Sequence, residues 1–380
     1  MSSTAASELQ RAFSDSFTAL GMDRQRDQKV VVTSWPSVPA EIIRAAGLTP
    51  VIARGSSAAT PDADEVLEPG VFPNRVRQLL QAALSGRLAH VAAIVLPRTS
   101  DADYKAYLYL QELQRRGRVP RLPPLLLFDL LQTQGPEIPA YNAARVRDLL
   151  SRLAQTSGRH VSTDALCEQI ERANGARAAA RRLATLRRDP VRVRGTEILP
   201  LLGARWTMAP ERYTALADEA FALLAARPTL DGPRVMLTGM PVDSASLHLA
   251  LESLNATIVH EISPFGAHEG RGSVDALTDP FAALGSWYAS QLITARAAGA
   301  MLLQGVEESL AGIDLAVILL PPDDARFGWD VPRLSALLGT RGVGYAMVRS
   351  DPESGLSESD FAVVRAGLQR RSAPQAVQNG

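Results

Sequence analysis

The hydrophobic positions of this chain fall in short unbroken runs separated by longer amphipathic stretches. Lys29–Trp35 (KVVVTSW), Thr49–Gly55 (TPVIARG), His90–Leu96 (HVAAIVL) and Leu125–Leu131 read as strands. Pro39–Gly47, Asn74–Gly86, Asp101–Arg116 and Ala143–Gly158 read as the helices between them. Proline at the start and glycine past the end bound the first of these helices, and Asn74 stands where the second would be capped. Strands apolar on both faces, alternating with helices, are the pattern of a parallel sheet covered on both sides.

The alternation breaks over Ser162–Pro228, which reads as helical and carries the arginine run RAAARRLATLRR, expected as a solvated helix face. It restarts with a strand at Arg234–Thr238, a helix at Ser244–Asn255 and a strand at Thr257–Ile262. A long helical stretch, Pro280–Leu310, leads to the strands Ile313–Leu320 and Gly342–Val348, with helices at Val331–Gly339 and at the C-terminus. The fold class expected is α/β, two parallel-sheet domains of flavodoxin or Rossmann type joined by a helical connector. The divisions expected are an N-terminal helical segment (1–28), an α/β domain (29–160), the connector (161–230), a second α/β domain (231–370) and a disordered tail (371–380).

A length of 380 residues agrees with two or three domains. Forty basic and forty acidic side chains cancel, so no net positive field gathers nucleic acid or an anionic membrane. No apolar run is long enough to span a bilayer and the N-terminus lacks a signal-peptide pattern, so a cytoplasmic protein is expected. The only cysteine, Cys167, excludes an internal disulfide, a CxxC pair, a four-cysteine zinc site and an iron–sulfur cluster ligated by cysteines of this chain alone. No metal site is expected. Lys29 and Lys105 are the only lysines, so motifs that need a lysine on phosphate lose weight. The glycines at 266, 270 and 272 do not make a dinucleotide fingerprint, and no phosphate-loop lysine motif, G-x-S-x-G elbow or H-E-x-x-H is present.

In open parallel sheets, ligands sit beyond the carboxyl ends of the strands. That rule selects Ser34–Val38, Pro97–Asp101, Gly239–Ser246, Ser263–Gly272 and Pro321–Asp330. Ser34, Ser37, Thr99, Ser100 and Asp101 offer polar groups there, although Ser37 and Ser100 or Asp101 serve equally as helix caps. His260 lies near a strand end, and His268, Glu269 and Arg271 share one loop, as anion- or carbonyl-binding candidates or as ordinary loop residues.

Several segments together resemble the family of 2-hydroxyacyl-CoA dehydratase subunits, to which benzoyl-CoA reductase subunits also belong. VPAEIIRAAGLTPVIARG (Val38–Gly55) is similar to a V-P-E-E-L-I-x-A-A-G-x-x-P-V segment, and ADEVLEPGVFPNRVRQLLQAALSGRL to a Y-L-x-x-x-x-C-P stretch with a long helix after it. VAAIVLPRTSDADYKAYLYLQEL resembles a strand ending T-C-D, RVMLTGMPVD an L-x-T-G-x-P strand, and DPFAALGSWY a D-P-x-x-A-L-A-x-x-Y helix. RFGWDVPRLSALLGTRGVGYAMVRSD resembles the closing segment, and the likeness spans about residues 29 to 370. In the family, cysteines hold an iron–sulfur cluster that passes an electron to the acyl-CoA thioester. The resemblance puts Phe72, Ser100 and Gly328 at those positions, and Met240 at one that is only sometimes cysteine. Cys167 lies away from all of them, in the connector, where it reads as a small buried hydrophobe.

The resemblance thus implies a scaffold kept without its electron-transfer ligands. No cofactor is expected on this chain alone, and a 4Fe-4S cluster only in a cysteine-bearing homologous subunit paired with it. The acyl-CoA would lie near the Ser34–Ser37 loop and the ends of the central strands. Three roles stay open: a cluster-free subunit of a heteromeric dehydratase or acyl-CoA reductase, a redox-neutral acyl-CoA-binding enzyme acting alone, or a non-catalytic scaffold.

Overall fold

Four apolar runs of the first half form parallel strands: β1 (Val30–Thr33), β2 (Thr49–Ile52), β3 (Ala93–Pro97) and β4 (Leu125–Phe128). They pair in the order β2-β1-β3-β4, with Val32 opposite both Val51 and Ile94. The computed structural model describes residues 4–372 except 69, 120, 134, 264, 266–271, 277, 292–293, 298, 323, 325 and 354. β1 and β3 are buried at every position, as strands covered on both faces must be.

The helices of this half are α1 (Thr4–Asp15), α2 (Arg24–Asp27), α3 (Ala40–Ala45), α4 (Pro61–Asp64), α5 (Asn74–Leu84), α6 (Asp101–Arg115) and α7 (Ile138–Ser157). Alternate strand residues choose their cover. Val32, Ile94 and Leu96 pack with Val76, Leu79 and Leu80 of α5 and Leu110 of α6. Val31, Ala93 and Val95 pack with Ile42 and Ile43 of α3 and Val146, Leu149 and Leu153 of α7. Two caps differ from expectation. Pro73, not Asn74, holds the N-cap position of α5, because the Asn74 amide oxygen is taken by the Ser56 N–H at 2.9 Å. Ser37 does not cap α3, whose N-cap position is Pro39 with no side-chain bond.

The connector contains α8 (Thr163–Thr185), α9 (Gly195–Gly203) and α10 (Pro210–Ala225), with a short 3-10 turn at Ala204–Trp206. Leu183, Ile198, Leu202, Tyr213 and Leu216 form its core, which Leu9 and Phe13 of α1 complete. The arginine run is not uniformly solvated. Arg177 and Arg187 are 4% and 0% exposed, because each has a buried carboxylate to meet. Arg177 donates to Glu41 of α3 and lies 4.3 Å over the Trp287 ring, while Arg187 stands 3.6 Å from Glu261. Arg182 and Arg188 face solvent as expected.

The second half repeats the first. Its strands β5 (Arg234–Gly239), β6 (Thr257–Glu261), β7 (Leu315–Leu319) and β8 (Gly344–Val348) are parallel, in the order β6-β5-β7-β8. Its helices are α11 (Ser246–Glu252), α12 (Pro280–Gln291), α13 (Gly299–Glu307), α14 (Val331–Thr340) and α15 (Glu358–Ser372). The expected helical stretch over 280–310 holds two helices, α12 and α13, which serve different sheets. α13 places Leu302 and Val306 with Ala316 and Ile318 of β7. α12 crosses to the first half and packs along α7, burying Leu284, Trp287 and Tyr288 in that core. At Gly285 it lies so close that a Cβ would stand 3.0 Å from the Asn142 backbone. Of the expected tail, Arg371 and Ser372 belong to α15, and 373–380 lie outside the described residues. Among the described residues no helix is long and apolar enough to cross a membrane.

Candidate functional site

Both sheets reverse their strand order beside their first strand, at β1/β3 and at β5/β7. Loops leaving two such neighbours diverge, and the crevice between them is where open parallel sheets bind ligands. Here the two crevices open on one cleft of about 490 Å³. Trp35 beyond β1, Phe72 and Arg75 at the start of α5, and Thr99–Asp103 beyond β3 form its first wall. Met240 and Asp243 beyond β5, Asp324, Arg326 and Phe327 beyond β7, and Glu353 beyond β8 form the second. Gly239, at φ +92°, ends β5 where a side chain would strike the Leu319 backbone, so the chain can turn away from β7 only there as glycine.

The first wall is organised by Asp103, which is fully buried in the opening turn of α6. Its Oδ1 accepts from the Ser34 hydroxyl at 2.7 Å and from Arg75 at 2.6 Å. Its Oδ2 accepts from the Ser100 hydroxyl at 2.6 Å and from the second Arg75 nitrogen at 3.1 Å. Such a two-pronged guanidinium pair with both oxygens satisfied is the form in which a buried carboxylate is tolerated. Ser100 is also the N-cap of α6, accepting from the Asp103 N–H at 3.0 Å. The Arg75 guanidinium carbon lies over the Trp35 ring, 4.8 Å from its centroid.

The second wall is built by main-chain donors. Asp324 accepts from the N–H groups of Arg326, Phe327 and Gly328 at 3.3, 2.9 and 2.8 Å, fixing the turn before α14. Arg326 reaches Asp330 at 2.6 Å. Glu353 stands apart chemically: burial, then Asp243 and Asp351, push its carboxyl up to about 8, against a lowering hydrogen bond from Ser244. The cleft rim also carries Lys105, solvent-exposed on α6, and Arg296, which meets Asp101 at 3.3 Å.

The residues expected at the site divide. Thr99, Ser100 and Asp101 line the cleft, as does Phe72, whose buried ring meets Tyr109 edge-on at 5.8 Å. Met240 lines it too, and Gly328 sits one residue beyond the lining Phe327. Ser34 and Ser37, expected there, are not among the residues that line it. Only Trp35 projects there, since Ser34 is spent behind the wall on Asp103 and Ser37 is buried without a hydrogen-bond partner. His260 lies on β6 outside the cleft lining, and Cys167 is half-buried on α8. His268, Glu269 and Arg271 lie outside the described residues. Arg75, Asp103, Asp243, Lys105 and Glu353 were not singled out by sequence. Asp243 lies in a loop that the strand-end rule selects, and the same rule applied to β8 reaches Glu353.

The family described as 2-hydroxyglutaryl-CoA dehydratase, D-component, matches residues 37–351. The beta subunit of (R)-2-hydroxyglutaryl-CoA dehydratase from Acidaminococcus fermentans is 23% identical over 283 residues, 72% of this chain and 71% of that protein. The match takes in every strand but β1, the connector and most of the residues lining the cleft, and on it the chain belongs to the 2-hydroxyglutaryl-CoA dehydratase D-component family.

Proposed function

We propose that this chain is a cluster-free subunit of a heteromeric 2-hydroxyacyl-CoA dehydratase, or of a benzoyl-CoA-reductase-like complex, that helps bind the acyl-CoA and supports a cysteine-bearing partner. The observation that carries this reading is the cleft wall. Two positions that the resemblance assigns to cluster ligands, Phe72 and Ser100, meet on it, and neither is equipped to hold iron. Phenylalanine has no donor atom, the Ser100 hydroxyl is committed to Asp103, and Gly328, next to the wall, has no side chain. The residues present do not fit a cluster, so no electron step is assigned to this chain. In this reading the 4Fe-4S cluster belongs to the partner.

What the cleft retains suits a thioester with a phosphate-bearing tail. Trp35, Phe72, Met240 and Phe327 give apolar contact for an acyl group, and Lys105 offers a cation at the rim. Pairing is supported by apolar side chains in solvent beside the cleft: Trp329 is 84% exposed and Val71 41%.

The test is anaerobic purification from the native source, with identification of what accompanies the chain. Recovery with a homologous, iron-containing subunit is the expected result. A colourless homodimer that turns over an acyl-CoA without reductant would overturn the reading in favour of a redox-neutral enzyme. Isolation with neither partner nor affinity for a CoA thioester would leave a scaffold protein.

A further inference from the structure

Three loops from both halves meet at one edge of the cleft. Arg54 and Gly55, just past β2, face Asp243, just past β5. The Gly55 N–H donates to Asp243 Oδ2 at 3.1 Å, and the Arg54 guanidinium donates to the Asp243 carbonyl oxygen at 2.7 and 3.3 Å. Arg54 is fixed from behind by α1, lying 3.5 Å over the Phe13 ring and donating to the Phe13 carbonyl. Glu353, just past β8, closes the group. It folds over Gly55, where an added Cβ would stand 2.7 Å from its carboxyl carbon, so the residue whose N–H binds Asp243 brings the two carboxyls together.

Two touching carboxyls repel when both are ionised, and hold each other when one carries a proton and donates it to the other. The surroundings offset that repulsion only in part, and Glu353 stays raised. The Arg54 charge acts on both carboxylates, but its guanidinium hydrogen-bonds to the Asp243 and Phe13 carbonyl oxygens, Asp351 adds a further negative charge from the same loop, and Ser244 brings only a hydroxyl. Across the cleft, Arg326 is already paired with Asp330.

We propose that Asp243 and Glu353 form a proton-operated latch: while they share a proton the loop after β8 is tied to the β5 loop and, through Gly55, to the first half, and loss of that proton releases it and widens the cleft mouth. The latch requires nothing about what the cleft binds, so it stands or falls apart from the proposed function. Its direction follows from where Glu353 titrates. Tied down, the carboxyl is pushed up to about 8; released into water it returns to the ordinary 4.5. The tied form therefore holds the proton more tightly. Its advantage is complete below pH 4.5, shrinks as the pH rises, and is lost as the pH passes through about 8.

Amide hydrogen exchange on the full chain tests this, read at peptides containing Gly55 and Glu353 between pH 6 and 9 and corrected for intrinsic base catalysis. Protection there is expected to fall by at least about tenfold over that range while the strands of both sheets keep theirs. Glu353→Gln keeps a hydrogen bond but has no proton to lose, so its protection should stay flat. Asp243→Asn removes the repelling charge from the other side and should flatten the profile too, which keeps the test valid should the first variant fold poorly. A wild-type profile without the fall, or the same fall in both variants, would overturn the latch.

Discussion

At the scale of single residues, the chain invests most in buried charges that join distant segments. Glu41 is fully buried between the Arg177 guanidinium and the Tyr288 hydroxyl, which it meets at 2.8 Å. Burial alone would raise its carboxyl, but Arg177, a backbone N–H and Tyr288 outweigh that and hold it below the ordinary range. Its contribution to stability is present above pH 4.5 and is lost as the pH falls through that lowered value, so the Glu41 site should loosen only in acid below the ordinary carboxyl range. Replacing it with glutamine removes one side of a buried ion pair, and Glu41→Gln should cost about 3–5 kcal/mol in urea denaturation. Tyr288→Phe removes one neutral partner of a charged group and should cost about 2 kcal/mol. A different kind of residue is Lys105. If the rim holds the phosphates of an acyl-CoA, Lys105→Ala should weaken CoA-thioester binding about tenfold in calorimetry, the value of one charged hydrogen bond, with an unchanged melting temperature.

Individual elements explain where the sequence was readable and where it was not. The strands and their alternation with helices could be read because β1, β3 and β7 are buried throughout and leave unbroken apolar runs. The cap at Ser100 could be read because the hydroxyl bonds locally, three residues on. Asn74 and Ser37 misled because tertiary packing sets their fates: Asn74 serves Ser56, and Ser37 is buried with no hydrogen-bond partner among the described residues. Arg177 and Arg187 looked solvated for the same reason, since Glu41 and Glu261 that bury them lie 136 and 74 residues away in sequence, the second figure being 261 − 187. In the cleft, Thr99, Ser100 and Asp101 follow from the strand-end rule, whereas Arg75 and Asp103 look like ordinary helical charges until α5 and α6 are brought together. Helix α12 is the largest departure. Trp287 anchors it in the first half's core, and Trp287→Ala should cost about 3–5 kcal/mol in chemical denaturation.

For the molecule as a whole, two repeats of one strand order face a common cleft, and the family match covers all of the second and all of the first but β1. Trp329 stands almost wholly in solvent on the turn that also carries Gly328. Since it contributes little to this chain's own core, Trp329→Asp is expected to leave the melting temperature within about 1 °C, the range of a neutral surface change of a few tenths of a kcal/mol. The same variant should lose the partner in pull-down from the native source if this face is where the complex forms. Retention of the partner would move the pairing surface elsewhere.

The crossing of α12 also sets an order in time. The first sheet, α3 and α7 emerge from the ribosome early, but the side chains that close their shared core, Leu284, Trp287 and Tyr288, are not made until the second sheet has begun. A growing chain must therefore carry an open apolar face on its first domain across the synthesis of the whole connector. A chain stopped after residue 230 is expected to bind a hydrophobic dye that the full protein excludes, and to need chaperone cover that the finished protein does not.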